Sequence, residues 1–319
     1  MGRSEKGLSP SSSSKRRRRN NDCATTRRKH LYLVLDDWKD GYSIHKLDPD
    51  DMDLSGHLSE PVALRLVAPV LGRMAFTALG TNIFVDTNRR RRGNHASPTL
   101  VYNTESAALT LGPRVPDDVY DLGAAMAVNE KLLPTPSPLS GTEVITYALH
   151  PDGHTIFMST VDETHSFDTI HGVWRKLGNW VLPFLGEAYF DAELDAWVGF
   201  HHKEDGYICC CSVASRSATT TPRLELTMLK EKLFRSKEEV KLDHWHLKPT
   251  LTYMGDSRFC LVENILCGED FDAGSVIHIT LFGLKYDHKG ELQTKVRRTT
   301  RSYSVSKNSL LFSHAVFWM

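Results

Sequence analysis

The chain has 319 residues, 40% of them hydrophobic, enough to fill one large core or two ordinary ones. Lys plus Arg and Asp plus Glu both number 39, so no whole-molecule field steers it toward nucleic acid or an acidic membrane. No stretch approaches the roughly 18–20 apolar residues of a membrane helix, and the polar N-terminus carries no signal-peptide core.

Residues 1–29 predict a disordered basic tail ahead of one domain over 30–319. The first thirty residues carry ten Lys or Arg against Glu5 and Asp22, with almost nothing apolar to bury. Lys15, Arg16, Arg17, Arg18 and Arg19, then Arg27, Arg28 and Lys29, form two basic clusters separated by seven residues. That spacing suits a two-part nuclear import signal, and the same charges suit phosphate contact less well. The six cysteines are Cys23, Cys209, Cys210, Cys211, Cys260 and Cys267. Three in a row fit no ordinary disulfide framework, so a reducing compartment, nucleus or cytoplasm, is expected.

Order is predicted from His30 and Leu31 onward, and one unit then recurs. A short apolar strand enters a polar turn holding Gly or Asn, and a second apolar strand leaves it. The turn residues are Gly41, Gly80, Asn129, Gly153, Gly206 and Gly255, each flanked by β-branched, aromatic or aliphatic residues. Their spacings are 39, 49, 24, 53 and 49 residues. Four of the five lie near the roughly 40–50 residue period of propeller blades, and the exception, 24, is about half a period.

A second pattern overlaps the first. An aromatic residue, then Asp or Asn, then five residues, then a large apolar residue occurs at Tyr102, Asn103 and Leu109, at Phe167, Asp168 and Trp174, and at Phe190, Asp191 and Trp197. The Asx side chain is expected to bond the backbone of its own turn. The aromatic and the large apolar residue are then expected on adjacent strands. The reading is an all-β chain, a kelch-like β-propeller of about five to six blades, one of them incomplete. Alternating Thr and Arg over 296–305 predicts a strand that seals the ring against the strand at 31–35. Only 224–240, rich in Lys and Glu, offers a helix, or else a long connection between strands.

Several runs resemble a large plant, chiefly grass, family of uncharacterised proteins related to kelch-like and F-box-associated propellers. They are Leu31-Tyr32-Leu33-Val34-Leu35-Asp36-Asp37-Trp38, His150-Pro151-Asp152-Gly153-His154-Thr155-Ile156-Phe157, Ala188-Tyr189-Phe190-Asp191, and Leu251-Thr252-Tyr253-Met254-Gly255-Asp256. The resemblance covers roughly residues 30–319. It implies a propeller and a plant source, and it carries over no functional residue. The chain departs from the pattern between Leu133 and Ile145, where only eleven residues stand in place of a longer segment with a Trp-bearing strand. About half a blade is therefore expected to be missing, leaving an unpaired sheet edge.

No catalytic, cofactor-binding or metal-binding residue is assigned. There is no Gly-x-Ser-x-Gly elbow, phosphate-binding loop, Gly-x-Gly-x-x-Gly or His-Glu-x-x-His. His244 and His246, with His201 or His202, make an incomplete zinc set. The tract Asp48, Pro49, Asp50, Asp51, Met52, Asp53 lacks the oxygen ligand and glycine of a calcium loop and reads as a turn. Glu187, Asp191, Glu193 and Asp195 invite a paired-carboxylate glycosidase reading, which strand alternation explains more simply. The leading expectation is a non-catalytic interaction module for a protein partner, whose contacts fall on polar loops such as Arg89 to Arg92, Glu204-Asp205 and Gly268-Glu269-Asp270. No F-box is recognisable in residues 1–29, which are too few and too polar to fold as one. The alternatives are a propeller enzyme acting on glycans or sugars, and a nuclear nucleic-acid-associated protein using the tail.

Overall fold

A computed structural model describes residues 1–2, 28–37, 41–50, 58, 61–67, 74–86, 99–112, 126–128, 131–133, 144–204, 206–216, 222–233, 246–267, 274–305 and 314–319. Twenty-two strands and no helix occur among them. In chain order they are β1 (Leu31–Asp36), β2 (Tyr42–Leu47), β3 (Leu64–Leu66), β4 (Ala75–Leu79), β5 (Asn82–Asp86), β6 (Leu100–Asn103), β7 (Ala108–Leu111), β8 (Met126–Val128), β9 (Lys131–Leu133), β10 (Thr146–Leu149), β11 (Thr155–Ser159), β12 (Thr164–Asp168), β13 (Val173–Gly178), β14 (Phe184–Asp191), β15 (Ala196–His201), β16 (Ile208–Ser212), β17 (Leu226–Met228), β18 (His246–Gly255), β19 (Arg258–Leu266), β20 (Ser275–Tyr286), β21 (Leu292–Val305) and β22 (Ala315–Trp318).

The strands form antiparallel meanders. Four-stranded runs appear in the orders β4-β5-β6-β7, β10-β11-β12-β13, β14-β15-β16-β17 and β18-β19-β20-β21. A fifth has the order β22-β1-β2-β3, so the last strand of the chain completes the first sheet. The first strands of successive units lie together: β4 meets β8, β10 pairs with β14, β14 meets β18, and β18 meets β22. Units that share their innermost strands in succession, with the two chain ends joined in one sheet, have the connectivity of a β-propeller.

Each predicted glycine turn falls between two consecutive antiparallel strands, because glycine reaches positive φ without steric cost, while Asn129 lies outside the described residues. Gly41 shows the need most sharply. Its φ is 85°, and a Cβ there would lie 2.1 Å from the Leu66 carbonyl oxygen. Gly41 and Gly206 differ from the others in placement: each turns the second strand of its sheet into the third, β1 into β2 and β15 into β16. The innermost hairpin of the β14–β17 sheet turns through Asp195, at φ 48°. The apparent period at Gly206 therefore mixes two kinds of turn.

Closure differs from the sequence expectation. Residues 296–305 belong to β21, and β21 pairs with β20 as far as Val305 opposite Ser275. The ring is sealed instead by β22, with Leu31 opposite Trp318 and Val34 opposite Ala315. The backbone of His30 also exchanges two hydrogen bonds with Met319, at 2.7 and 3.1 Å. Alternating Thr and Arg suits a solvated outer strand, which is the place β21 takes. The segment 224–240 holds the short strand β17, paired with β16, and no helix up to residue 233.

Apolar side chains fill the spaces between neighbouring sheets. Leu31, Leu33 and Leu35 pack with Cys260, Val262, Ile277 and Tyr303 across the closing junction. On the other face of the same sheet, Tyr32, Val34 and Ile44 pack with Ile83, Val85 and Tyr102. Both faces of β1 are thus buried, as a central strand between two cores requires. The three consecutive cysteines follow the same rule. Cys210 joins the core toward β18–β21, while Cys209 and Cys211 join the core toward β10–β13. Burial pushes all three thiols up, so they serve as small hydrophobes.

Among the described residues the third unit consists of the hairpin β8–β9. It stands where half a repeat was expected to be missing; residues 113–125 and 134–143, on either side, lie outside the described residues.

Candidate functional site

The three aromatic–Asx patterns form the same local structure. Tyr102 lies opposite Leu109, Phe167 opposite Trp174 and Phe190 opposite Trp197. In each, the Asx side chain accepts from backbone N–H groups of the turn it opens. Asn103 Oδ1 takes Glu105 and Ser106, Asp168 Oδ1 takes Ile170 and His171, and Asp191 Oδ1 takes Leu194. Four residues on from the Asx, φ turns positive, at Ala107 (53°), Gly172 (66°) and Asp195 (48°). That requirement for a left-handed residue was hidden in the sequence, because only one of the three is glycine.

These turns also tie neighbouring sheets together. Trp197 is fully buried, and its indole N–H donates to the Leu149 carbonyl at 2.8 Å, linking β15 to the end of β10. Asp191, buried as well, accepts from the Ser257 hydroxyl at 2.7 Å across the junction to β18–β21. Ser257 and Asp256 both hold positive φ, 54° and 52°, in the turn between β18 and β19. Ser257 also reaches Glu193, which pairs with Lys295 at 2.8 Å.

A second polar cluster sits at the turn joining β10 to β11. The Asp152 carboxylate accepts from the N–H groups of His154 and Thr155 and from the Thr155 hydroxyl, at 2.9, 2.9 and 2.7 Å. His150 and Arg216 lie 3.1 and 2.9 Å from it, and Arg216 follows β16 of the next sheet. Desolvation works to raise the Asp152 pKa, but these hydrogen bonds and the neighbouring His150 outweigh it and bring it down to about 2. His150 is lowered by burial, and its ring stacks on Phe157 at 5.7 Å.

The innermost strands hold a third cluster. β10 and β14 run parallel, with Tyr147 opposite Glu187 and Ala148 opposite Ala188. The alanines face the core between the two sheets, so Tyr147, Glu187 and, two residues on, Tyr189 face the other way. The Tyr189 hydroxyl lies 2.9 Å from Glu187 Oε2 and 3.0 Å from the Leu251 carbonyl of β18. Tyr147 approaches the same Oε2 at 3.5 Å. The Glu187 side chain is exposed to solvent on β14. Desolvation raises its carboxyl pKa, and the two phenols offset part of that rise. Tyr147 and Tyr189 are themselves pushed well above 10 by burial and by the carboxylate.

The remaining sequence candidates separate. Lys15, Arg16, Arg17, Arg18, Arg19 and Arg27 lie outside the described residues, as do Arg89 to Arg92, His244, Asp205 and Gly268, Glu269 and Asp270. Arg28 and Lys29 lie within them, and Arg28 pairs with Asp48 at 2.6 Å beside the end of β2. Asp48 also accepts from the Asp50 N–H, the turn expected for that acidic tract. The His201 and His202 rings are tilted against each other with centroids 5.3 Å apart, and His201 Nδ1 accepts from the Glu204 N–H. Among the described residues, no group of three His, Cys, Asp or Glu could hold a metal ion. Of the four carboxylates of the glycosidase reading, Asp191 and Glu193 meet at the Ser257 hydroxyl, which both accept from. Asp191 is fully buried, Glu193 is paired with Lys295, and Asp195 is a turn residue.

Fold and strand order together define an all-β, propeller-type protein. The family model described as "Protein of unknown function (DUF1668)" matches residues 28–133 and 129–303, and the chain belongs to that family. The two matched pieces meet at the β8–β9 hairpin. No curated protein matches. Solved structures give distant likenesses. KlHsv2 with loop 6CD replaced by a Gly-Ser linker is 10% identical, with a TM-score of 0.41 over 84% of this chain and 81% of that one. Apo AztD from Citrobacter koseri is 8% identical, with a TM-score of 0.38 over 91% and 98%. The Cps50 (Swd1) β-propeller domain of Myceliophteria thermophila is 10% identical, with a TM-score of 0.25 over 84% and 69%. At such scores the fold assignment rests on this chain's own strand order.

Proposed function

We propose that the chain is a non-catalytic interaction scaffold, a kelch-like ring of six blades whose third blade is reduced to β8–β9. The carrying observation is how the carboxylates near the innermost strands are used. Asp191 and Glu193 are committed to bonds between sheets, and Asp191 is out of reach of any substrate. Glu187 stands four residues before Asp191 on β14, roughly 13 Å away along an extended strand, too far for a glycosidase pair. What remains is a frame of packed sheets that displays polar groups on its turns and exposed strands, the arrangement of a recognition surface.

The test is a selection with the immobilised full chain against a displayed library of random peptides, alongside a panel of chromogenic glycosides. Enriched peptides that bind the purified chain, with no glycoside turned over, support the scaffold. Turnover that is lost in Glu187→Gln and in Glu193→Gln, without peptide enrichment, overturns it.

A further inference from the structure

The closing sheet contains one strand that no hairpin holds. β1, β2 and β3 follow one another in the chain, whereas β22 joins them only through its ladder with β1. That ladder has four positions, from Leu31 to Val34, while β1 and β2 share six. All six residues of β1 are buried, yet in β22 only Val316 is buried and Ala315, Phe317 and Trp318 are half-buried. The Trp318 indole N–H is shut off from water without a hydrogen-bond partner, which opposes docking of the strand. Two bonds to the β18–β21 sheet favour it: the Thr252 hydroxyl donates to the Val316 carbonyl at 3.4 Å, and His314 Nε2 lies 3.2 Å from the Val262 carbonyl.

We propose that β22 is a releasable strap, and that the edge of β1 it vacates takes up an extended peptide strand of the same pattern. A strand tied by its ladder and not by a hairpin leaves without any other strand being rearranged, so its release is a local opening and not global unfolding. What it vacates is a row of backbone N–H and C=O groups with an apolar core on each face of the strand, the surface that strand addition uses. The occupant is read from the strap itself. Val316 and Trp318 stand opposite Leu33 and Leu31 on one face, and Ala315 and Phe317 opposite Val34 and Tyr32 on the other. The device goes beyond the scaffold reading and does not depend on it.

The experiment uses the full chain and a labelled, N-acetylated peptide of residues 314–319, with the same peptide carrying Val316→Asp as control. Eight residues, 306–313, tether β22 to β21. A tether of that length sets an effective concentration on the order of 1 mM, so peptide at about 0.1 mM is expected to enter about a tenth of the molecules. Val34→Cys with Ala315→Cys, directly opposite in the ladder, locks the strap when oxidised. The expected result is uptake by the parent and by the reduced double variant, with at least about tenfold less in the oxidised variant and with the control peptide. Amides bonded across the β1–β22 ladder are expected to exchange at least about a hundredfold faster than those of β19, and oxidation to slow them. No uptake by the parent, uptake that the lock leaves unchanged, or ladder amides that exchange no faster than those of β19 overturn the strap. Recovery of uptake when the oxidised variant is reduced shows that its loss is not misfolding.

Discussion

Single residues at the turns carry much of the order between sheets. Asp152 gathers three hydrogen bonds from its own turn and an ion pair from Arg216 in the next sheet, and its side chain is only 16% exposed. Its folded pKa, about 2, lies below the ordinary 3.8. Ionisation therefore favours the fold: the contribution is whole above about pH 4 and fades as acid protonates the group toward pH 2. A shift of this size corresponds to about 2 kcal/mol. Asp152→Asn is expected to lower unfolding free energy by about that amount at pH 7, and the gap to the parent to close near pH 2. Urea titrations at pH 7, 4 and 2.5 measure it. The left-handed turn positions make a matched pair. Gly172 has open space around its missing Cβ, so Gly172→Ala isolates backbone strain and costs about 1 kcal/mol. Ala107→Gly relieves the same strain but loosens the unfolded chain, so its net effect is expected within about 0.5 kcal/mol of zero. Thermal melts of the two variants side by side show the asymmetry.

At the scale of elements, the closing strand is the sharpest case. β22 has only four residues, yet it covers β1, whose six residues are all buried. Deleting residues 314–319 removes Val316 from the closing core and leaves the edge of β1 unpaired. The expected outcome is a loss of several kcal/mol, seen as a melting temperature lower by about 10 °C or more, with early proteolysis near β1. A four-residue strand far from its partner in sequence gives no periodic signal, so the sequence assigned closure to the longer, more regular run at 296–305. The hairpins were legible because glycine or asparagine between β-branched flanks has few other uses. The Tyr147, Glu187 and Tyr189 cluster was not. It depends on the parallel register of β10 and β14, forty residues apart, and sequence offered Glu187 only as one of several carboxylates.

At the scale of the whole molecule, the units on either side of the β8–β9 hairpin are unequally covered among the described residues. β10–β13 buries one face in a broad core with Trp197 and Phe184, while its other face holds only Ile156 and Phe167 fully inside. On the opposite flank all four residues of β7 are exposed, including Leu109 and Leu111 at 43% and 72%. An apolar outer strand with both faces in water and an open edge is a template for unwanted pairing between copies. Leu109 and Leu111 contribute little to the folded core, so replacing both with lysine has a small energetic cost. The variant is expected to melt within about 1 kcal/mol of the parent, while self-association at high concentration falls. Sedimentation velocity over a concentration series, with Val85→Lys as a control, separates the two effects. Val85 lies fully buried on β5 of the same sheet, so that control is expected to unfold. If the double lysine variant instead destabilises as strongly as Val85→Lys, β7 is covered in solution and the third unit is more complete than a hairpin.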